Sequence, residues 1–417
     1  MRQVPVPILL DRRSAGLFHP NSFAHRILAF NPKWTLSKHR VVSVTNRGNC
    51  ITTTLDLSSN NDYLLTGNAL GTCCIYHLAE PKVKHHTPLQ HAQCPGRGGP
   101  TQVAALQWYP VDAGVFVSAT VGGSVCVWDT NAMEPVLELK PFAYRTHAVD
   151  ETVQLQTMRL APYQPLASVG CLQSPSIQLV DLRTGGAAHT LTPKGADAAD
   201  GVCDTQWSPV HPHILASCGP SATLLWDIRR PNLVLTQCCS HTDSEDTLVG
   251  TNYAWDGSHF RSPSSKGFTS SATSCGATSI SFDATSRRLI TIDGRERSIG
   301  IWDLRHPRPR RQSGQFVDQD NGKPVDRNHL SQPLVVLDDA VYCVRGKQVV
   351  QYPLANDRNG QAMQTPLTAH LGRVRAMAAT KSMLVTAADD ALVLVWERHH
   401  RQKPQKEEDA ADDQDTW

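Results

Sequence analysis

The chain has 417 residues, 40% hydrophobic and 19% charged, enough to bury a large core in one or two domains. Its 40 Lys and Arg stand against 38 Asp and Glu, which removes any whole-chain electrostatic argument for binding nucleic acid or a membrane surface. No apolar run is long enough to span a bilayer, and the opening MRQVPVPILLDRR, broken by Pro5 and Pro7 with no small-residue cleavage site after it, does not read as a secretory signal.

In chain order, residues 8–30 come first, with apolar positions at helical spacing. Ile8, Leu9 and Leu10 precede a break at Gly16 and Pro20; Phe23, Ile27, Leu28 and Phe30 follow, with Arg26 opposite and Asn21 or Ser22 as a cap. The pattern predicts helix, loop, helix within a segment 1–40. Residues 41–45 (VVSVT) then read as a strand that closes a ring beside the last repeat. An amphipathic pair ahead of a closed ring has no core of its own. It packs on the ring or docks on another protein, and docking is the preferred reading.

From there on, one unit recurs. Its closing strand is legible at 73–77 (CCIYH), 125–129 (VCVWD), 177–181 (IQLVD), 224–227 (LLWD), 299–303 (IGIWD), 349–352 (VVQY) and 393–396 (VLVW). A short apolar strand with small residues precedes most of them: 63–67 (YLLTG), 115–119 (VFVSA), 166–170 (LASVG), 214–217 (ILAS), 289–292 (LITI) and 383–387 (MLVTA). Earlier still lies an alternating strand such as 103–108 (VAALQW) or 202–207 (VCDTQW), followed by a turn at Tyr109-Pro110 or Ser208-Pro209. Period-two alternation in seven units predicts an all-β fold, a seven-bladed WD-repeat β-propeller over 41–397.

Two stretches lie outside the repeat. Residues 238–275, rich in Ser, Thr and Gly, predict a long loop between blades four and five. The tail, 398–417, is basic and then acidic and predicts disorder. Its basic part, with Arg308, Arg310 and Arg311, reads equally as a nuclear-import signal or as solvated charge. Twelve cysteines without a Cys-x-x-Cys pair, including the doublets Cys73-Cys74 and Cys238-Cys239, suit alternate strand faces better than a disulfide framework. They imply a reducing cytosolic or nuclear compartment and no structural zinc.

Signs of catalysis are scarce. There is no Gly-x-Ser-x-Gly elbow, phosphate loop or His-Glu-x-x-His helix, and the doublet His85-His86 lacks partners at metal-ligand spacing. No cofactor is expected. His370, Thr386, Asp390 and Trp396 in the last unit have the spacing of a buried hydrogen-bonded tetrad, which assigns them to stability rather than to half of a hydrolase. The remaining signal is the ending Trp-Asp-x-Arg, at Trp226-Asp227-Ile228-Arg229 and Trp302-Asp303-Leu304-Arg305, with Arg230 adjoining and Asp181-Leu182-Arg183 as a weaker echo. A guanidinium just past the strand either takes a partner's carboxylate or carbonyls, or pairs with the preceding Asp and holds the turn.

Residues 101–135, with the QWYP turn and VWDTN ending, closely resemble the second blade of the Cockayne syndrome group A family of WD-repeat proteins. LDLSSNNDYLLTG and ILASCGPSATLLWDIRR are similar to its first and fourth blades. RSAGLFHP, 13–20, is similar to that family's Arg-x-x-Gly-Leu-x-x-Pro segment. The resemblance is dense over blades one to four and thin over blades five and six. It implies a nuclear, non-catalytic substrate receptor of a cullin-4 RING ubiquitin ligase in transcription-coupled nucleotide excision repair. The implied partners are the ligase's three-propeller adaptor, the large subunit of damage-specific DNA-binding protein, and a repair translocase of the Cockayne group B type. No direct contact with nucleic acid, membrane or metal is implied. By position, Arg13, Gly16 and Leu17 match the helix-pair segment, and Trp226, Asp227, Arg229 and Arg230 the docking box; whether Arg305 shares that role stays open. Pro220 departs from the family's Asp six positions before the Trp, which weakens the turn of blade four. The competing reading is a WD-repeat scaffold of a chromatin or RNA-processing complex without a ligase.

Overall fold

A computed structural model describes residues 34–43, 50–78, 88–95, 101–142, 153–193, 201–220, 222–230, 234–238, 254–255, 260–261, 277–292, 299–305, 311–314, 333–338, 340–354 and 365–398. Within them the chain forms seven four-stranded antiparallel sheets. The fold is the seven-bladed WD-repeat β-propeller that the repeat predicts. Each segment read as a closing strand is the third strand of its sheet, for example Val125–Asp129, Thr223–Asp227 and Ile299–Asp303.

First strands of successive blades face one another around the axis, and that of blade seven, Val374–Ala379, meets that of blade one, Thr52–Leu57. The seventh sheet draws its fourth strand from the other end of the chain: Trp34–Ser43 pairs with Leu392–Arg398, with Val41 opposite Leu394 and Val42 opposite Val393. The closing strand expected over 41–45 is therefore present, but it begins at Trp34 and ends at Ser43. Pairing the two chain ends in one sheet leaves the ring without an open blade edge at its seam.

The core is divided among the seams between blades. Successive residues of a strand point to opposite faces, so each blade supplies two seams. Leu64 and Cys74 pack against Val385 and Val393 of blade seven, whereas their neighbours Leu65 and Cys73 pack against Phe116 and Trp128 of blade two. Likewise Trp226 faces Leu179 of blade three while Leu225 faces Ile280 of blade five. This is why the third strands read as near-continuous apolar runs, and why all five residues of Thr223–Asp227 are buried.

Cys238 ends the fourth strand of blade four, Val234–Cys238, so the long loop begins one residue later than its composition suggests. Inside the loop Ala254–Trp255 pairs with Phe260–Arg261. Residues 8–30, with Arg13, Gly16 and Leu17, and the tail from 399 lie outside the described residues.

Candidate docking face

In an up-and-down sheet the turn after the first strand and the turn after the third emerge on one face of the ring, and the remaining connections on the other. Arg183, Arg229 and Arg305 all follow third strands. They share the face that carries the turns at Tyr109-Pro110 and Ser208-Pro209.

The Trp-Asp-x-Arg ending is built from inside outward. Trp226 is fully buried and its indole Nε1 donates to Ser217 Oγ at 2.8 Å, fixing the end of the strand. Asp227 then caps the turn: its Oδ1 accepts the Arg229 backbone N–H at 3.1 Å, and its backbone carbonyl accepts that of Arg230 at 2.8 Å. The Arg229 side chain returns to the same carboxylate, Nε to Oδ1 at 2.9 Å and Nη2 to Oδ2 at 2.7 Å. Burial works to raise the Asp227 pKa, but the Arg229 fork and backbone N–H outweigh it and hold the carboxyl below its usual range.

Blade five repeats the arrangement. Arg305 donates its backbone N–H to Asp303 Oδ1 at 3.0 Å and its Nε to the same oxygen at 2.9 Å, with Nη2 against Oδ2. In blade three only the backbone half is made: Arg183 N–H reaches Asp181 Oδ1 at 2.9 Å, while its Nε stays at 3.6 Å and its side chain is the most exposed of the three, at 74%. Asn131 takes the same place in blade two, its N–H on Asp129 Oδ1 at 2.8 Å. Four blades thus share one Asp-capped turn, and in two of them a guanidinium is locked on it.

Both readings of the arginine meet in this geometry. The Nε and Nη2 edge holds the turn. The far edge of the fork points away from the carboxylate, on side chains 61% and 56% exposed for Arg229 and Arg305. A guanidinium already held in one orientation loses less rotamer entropy when a partner's carbonyl or carboxylate meets it. Arg230 is exposed beside it.

Several residues of this face were not legible as site residues. Tyr163 is 60% exposed, yet its Oη donates across the seam to Pro209 O at 2.5 Å, next to exposed Val210. Gln164 Nε2 lies 3.4 Å from His213 Nδ1 on the same seam, and the His213 carbonyl accepts the N–H of Ile228. The aromatic ring and the Arg229 turn are thereby tied together.

Pro220 also has a structural answer. In blade seven Asp390 does the turn's work, accepting the N–H groups of Leu371 at 2.9 Å and Leu392 at 3.1 Å. Blade four closes its equivalent turn through the backbone instead, Gly219 N–H to Ala222 O at 2.9 Å, and Gly219 O accepts the N–H of Ala277 from blade five.

His370, Thr386, Asp390 and Trp396 are together in blade seven. Trp396 Nε1 donates to Thr386 Oγ1 at 2.9 Å, Thr386 Oγ1 lies 2.8 Å from His370 Nε2, and His370 Nδ1 lies 3.1 Å from Asp390 Oδ2. One proton assignment satisfies every atom: hydroxyl to Nε2, and Nδ1–H to the carboxylate. Burial raises the Asp390 pKa, but the Leu371 and Leu392 N–H groups and His370 prevail and hold it low. With Nε2 tied to a buried hydroxyl, the imidazole presents no nitrogen to a substrate. Among the described residues no group of three or more His, Cys, Asp and Glu is placed to hold a metal ion.

No family model matches the chain. It is similar to the WD repeat-containing protein ATCSA-1 of Arabidopsis thaliana, 26% identical over 258 residues, covering 57% of this chain and 51% of that protein. It is also similar to Radiation-sensitive protein 28 of Saccharomyces cerevisiae, 26% identical over 144 residues and 32% of this chain, covering 26% of the yeast protein. A third relative is the Anaphase-promoting complex subunit cdc20 of Dictyostelium discoideum, 24% identical over 200 residues, 47% of this chain and 36% of that protein. The chain spans about half the length, or less, of these curated relatives.

Proposed function

We infer that this WD-repeat propeller is the substrate-receptor subunit of a cullin-4 RING ubiquitin ligase, acting in the nucleus in transcription-coupled nucleotide excision repair. In this reading the chain performs no chemistry. It holds a target near the ligase by binding on two faces at once, and tethering raises the effective concentration of the ubiquitin-loaded enzyme at the target. The face carrying Arg229, Arg230 and Arg305, together with Arg13, Gly16 and Leu17 of segment 1–40, docks on the three-propeller adaptor, the large subunit of damage-specific DNA-binding protein, and through it on cullin-4. The opposite face is left for targets and for a translocase of the Cockayne group B type.

One observation carries the reading: the matched guanidinium forks of Arg229 and Arg305 on neighbouring blades, each locked on an Asp and aimed outward. Similarity to ATCSA-1 supports the choice of partner. The test is direct binding of the purified adaptor. Arg229→Ala with Arg305→Ala, and separately removal of residues 1–30, are each expected to weaken binding by at least ~30-fold, since an interface arginine contributes about 2 kcal/mol or more. Unaltered affinity in both variants refutes the docking assignment. Recovery of neither adaptor nor cullin with the wild-type chain from cells favours the scaffold reading instead.

A further inference from the structure

Blade two repeats the hydrogen-bond chain of blade seven with one replacement. Trp128 Nε1 donates to Ser118 Oγ at 2.8 Å, as Trp396 does to Thr386. Where His370 stands in blade seven, blade two has the thiol of Cys94, its Sγ 3.6 Å from Ser118 Oγ. Cys94 Sγ also lies 3.5 Å from Cys73 Sγ. Both thiols are buried in the seam between blades one and two. Cys73 lies on the third strand of blade one, opposite Ala92, and Cys94 follows the fourth strand, Gln90–Gln93, with its N–H on the Gly71 carbonyl.

We propose that Cys73 and Cys94 are a redox-responsive pair that closes to a disulfide under hydrogen peroxide and reopens with a dithiol reductant. Closure needs the sulfurs to approach from 3.5 Å to about 2 Å; Cys73 stands opposite Ala92, two residues before Cys94, so closing this diagonal pair combines side-chain rotation with a small shift of the outer strand. The two thiols are also unequal. Either sulfur can donate across the contact; the bond with Cys73 lowers the Cys94 pKa against the opposing effect of burial, with Ser118 assisting, while Cys73 is pushed well above its usual value by the same bond and by burial. Cys94 is therefore the thiol that ionises first and meets the oxidant. Cys126, in the same seam, is pushed up to about 12 by burial and stays protonated.

Access comes from the strand that leads into Cys94. Gln90–Gln93 is the short outermost strand of its sheet, mostly exposed and paired on one side only, so it opens locally at low cost. The chemistry balances in two steps. The Cys94 thiolate attacks one peroxide oxygen, the O–O bond breaks, and sulfenic acid forms with loss of hydroxide, which takes up a proton as water. The Cys73 sulfur then attacks the Cys94 sulfur, its proton leaves with the hydroxyl as a second water, and the S–S bond forms. Two thiols are oxidised and one peroxide is reduced to two waters.

The experiment treats the folded chain with hydrogen peroxide, unfolds it in iodoacetamide to block remaining thiols, and digests with trypsin. Cleavage after Arg47, Lys82, Lys84 and Arg97 separates residues 48–82 from 85–97. The expected product is those two peptides joined through Cys73 and Cys94, lost on reduction, absent in Cys73→Ser and Cys94→Ser, and retained in Cys74→Ser. Amide exchange across Gln90–Gln93 is expected to slow by at least ~10-fold in the oxidised protein, because the disulfide pins the strand. A chain whose methionines oxidise while no cross-link forms overturns the proposal. So does a Cys94 link that survives Cys73→Ser by moving to Cys50 or Cys74.

Discussion

Thr386→Val tests the blade-seven tetrad without changing its shape. The side chain is fully buried, and valine fills nearly the same volume, so no cavity term enters. What is lost is one hydroxyl with two partners: Trp396 Nε1 at 2.9 Å and His370 Nε2 at 2.8 Å. Both partners are themselves buried. Leaving a buried polar group unsatisfied costs about 1–3 kcal/mol, so two such groups put the loss at ~2–6 kcal/mol. The comparison is Ser217→Ala in blade four, where the hydroxyl is bonded to Trp226 Nε1 and, among the described residues, no histidine bonds to it. One orphaned indole N–H predicts ~1–2 kcal/mol there. Thr386→Ser keeps the hydroxyl and is expected to cost about 1 kcal/mol for the missing methyl. The assay is urea denaturation followed by tryptophan fluorescence, with slopes checked for equality before midpoints are converted. A Thr386→Val midpoint within ~0.5 kcal/mol of wild type, or one no lower than that of Ser217→Ala, refutes the account of the tetrad as a shared network.

Further predictions follow from the same geometry. Arg305→Ala is expected to leave the thermal midpoint within about a degree of wild type, because its guanidinium is largely exposed and Asp303 keeps the backbone N–H, whereas Arg229→Ala takes the ion partner from the buried Asp227 carboxylate and is expected to lower the midpoint by about 1–4 degrees; a larger fall in either would make any binding loss a folding effect. Asp56, set in the inner strand of blade one with its carboxylate on the N–H groups of Trp108 and Leu57, has its pKa raised to about 6 by burial, against the lowering effect of Trp108, Arg159 and Leu57. A raised carboxyl pKa favours the protonated form, so its contribution is complete below pH 4 and is lost as pH rises through 6. Asp227 and Asp390, held low, lose theirs only as pH falls below about 4. Burial also raises the pKa of Asp204, against Arg159 and its hydrogen bonds, so stability should increase from pH 7.5 to pH 5, a gain that Asp56→Asn reduces and Asp204 keeps in part; a thermal midpoint that falls over that interval contradicts the assignment. Finally, a Cβ on Gly201 would lie 2.0 Å from the backbone oxygen of Leu172, so Gly201→Ala is expected to prevent soluble expression, whereas Gly186→Ala, with its nearest atom at 3.7 Å, should fold normally. Equal yields from the two would show that the turn at Leu172 shifts freely.

The residues the sequence exposes best are those whose role depends on near neighbours. Strand alternation is local, so the seven third strands and most of the second strands stand where their apolar runs begin and end. The tetrad is legible because all four members lie within 370–396, inside one blade. The Trp-Asp-x-Arg turn is legible as a motif, but not the fact that both guanidinia are already engaged by their own aspartates. That outcome turns on a side-chain rotamer, and spacing leaves it undetermined.

By itself the sequence determined the all-β class, the number of blades and the alternation of faces, because a period-two pattern forces each strand to feed two seams. Only the tertiary structure decided which seam each residue meets and who waits there. Residues 34–43 join 392–398 across almost the whole chain. Asp204 takes bonds from Thr157 of blade three and Ile280 of blade five. Cys94 stands in blade two where a histidine stands in blade seven. Each of these contacts exists because a ring brings distant segments to one radius and one height, and ring closure is a property of all seven sheets together.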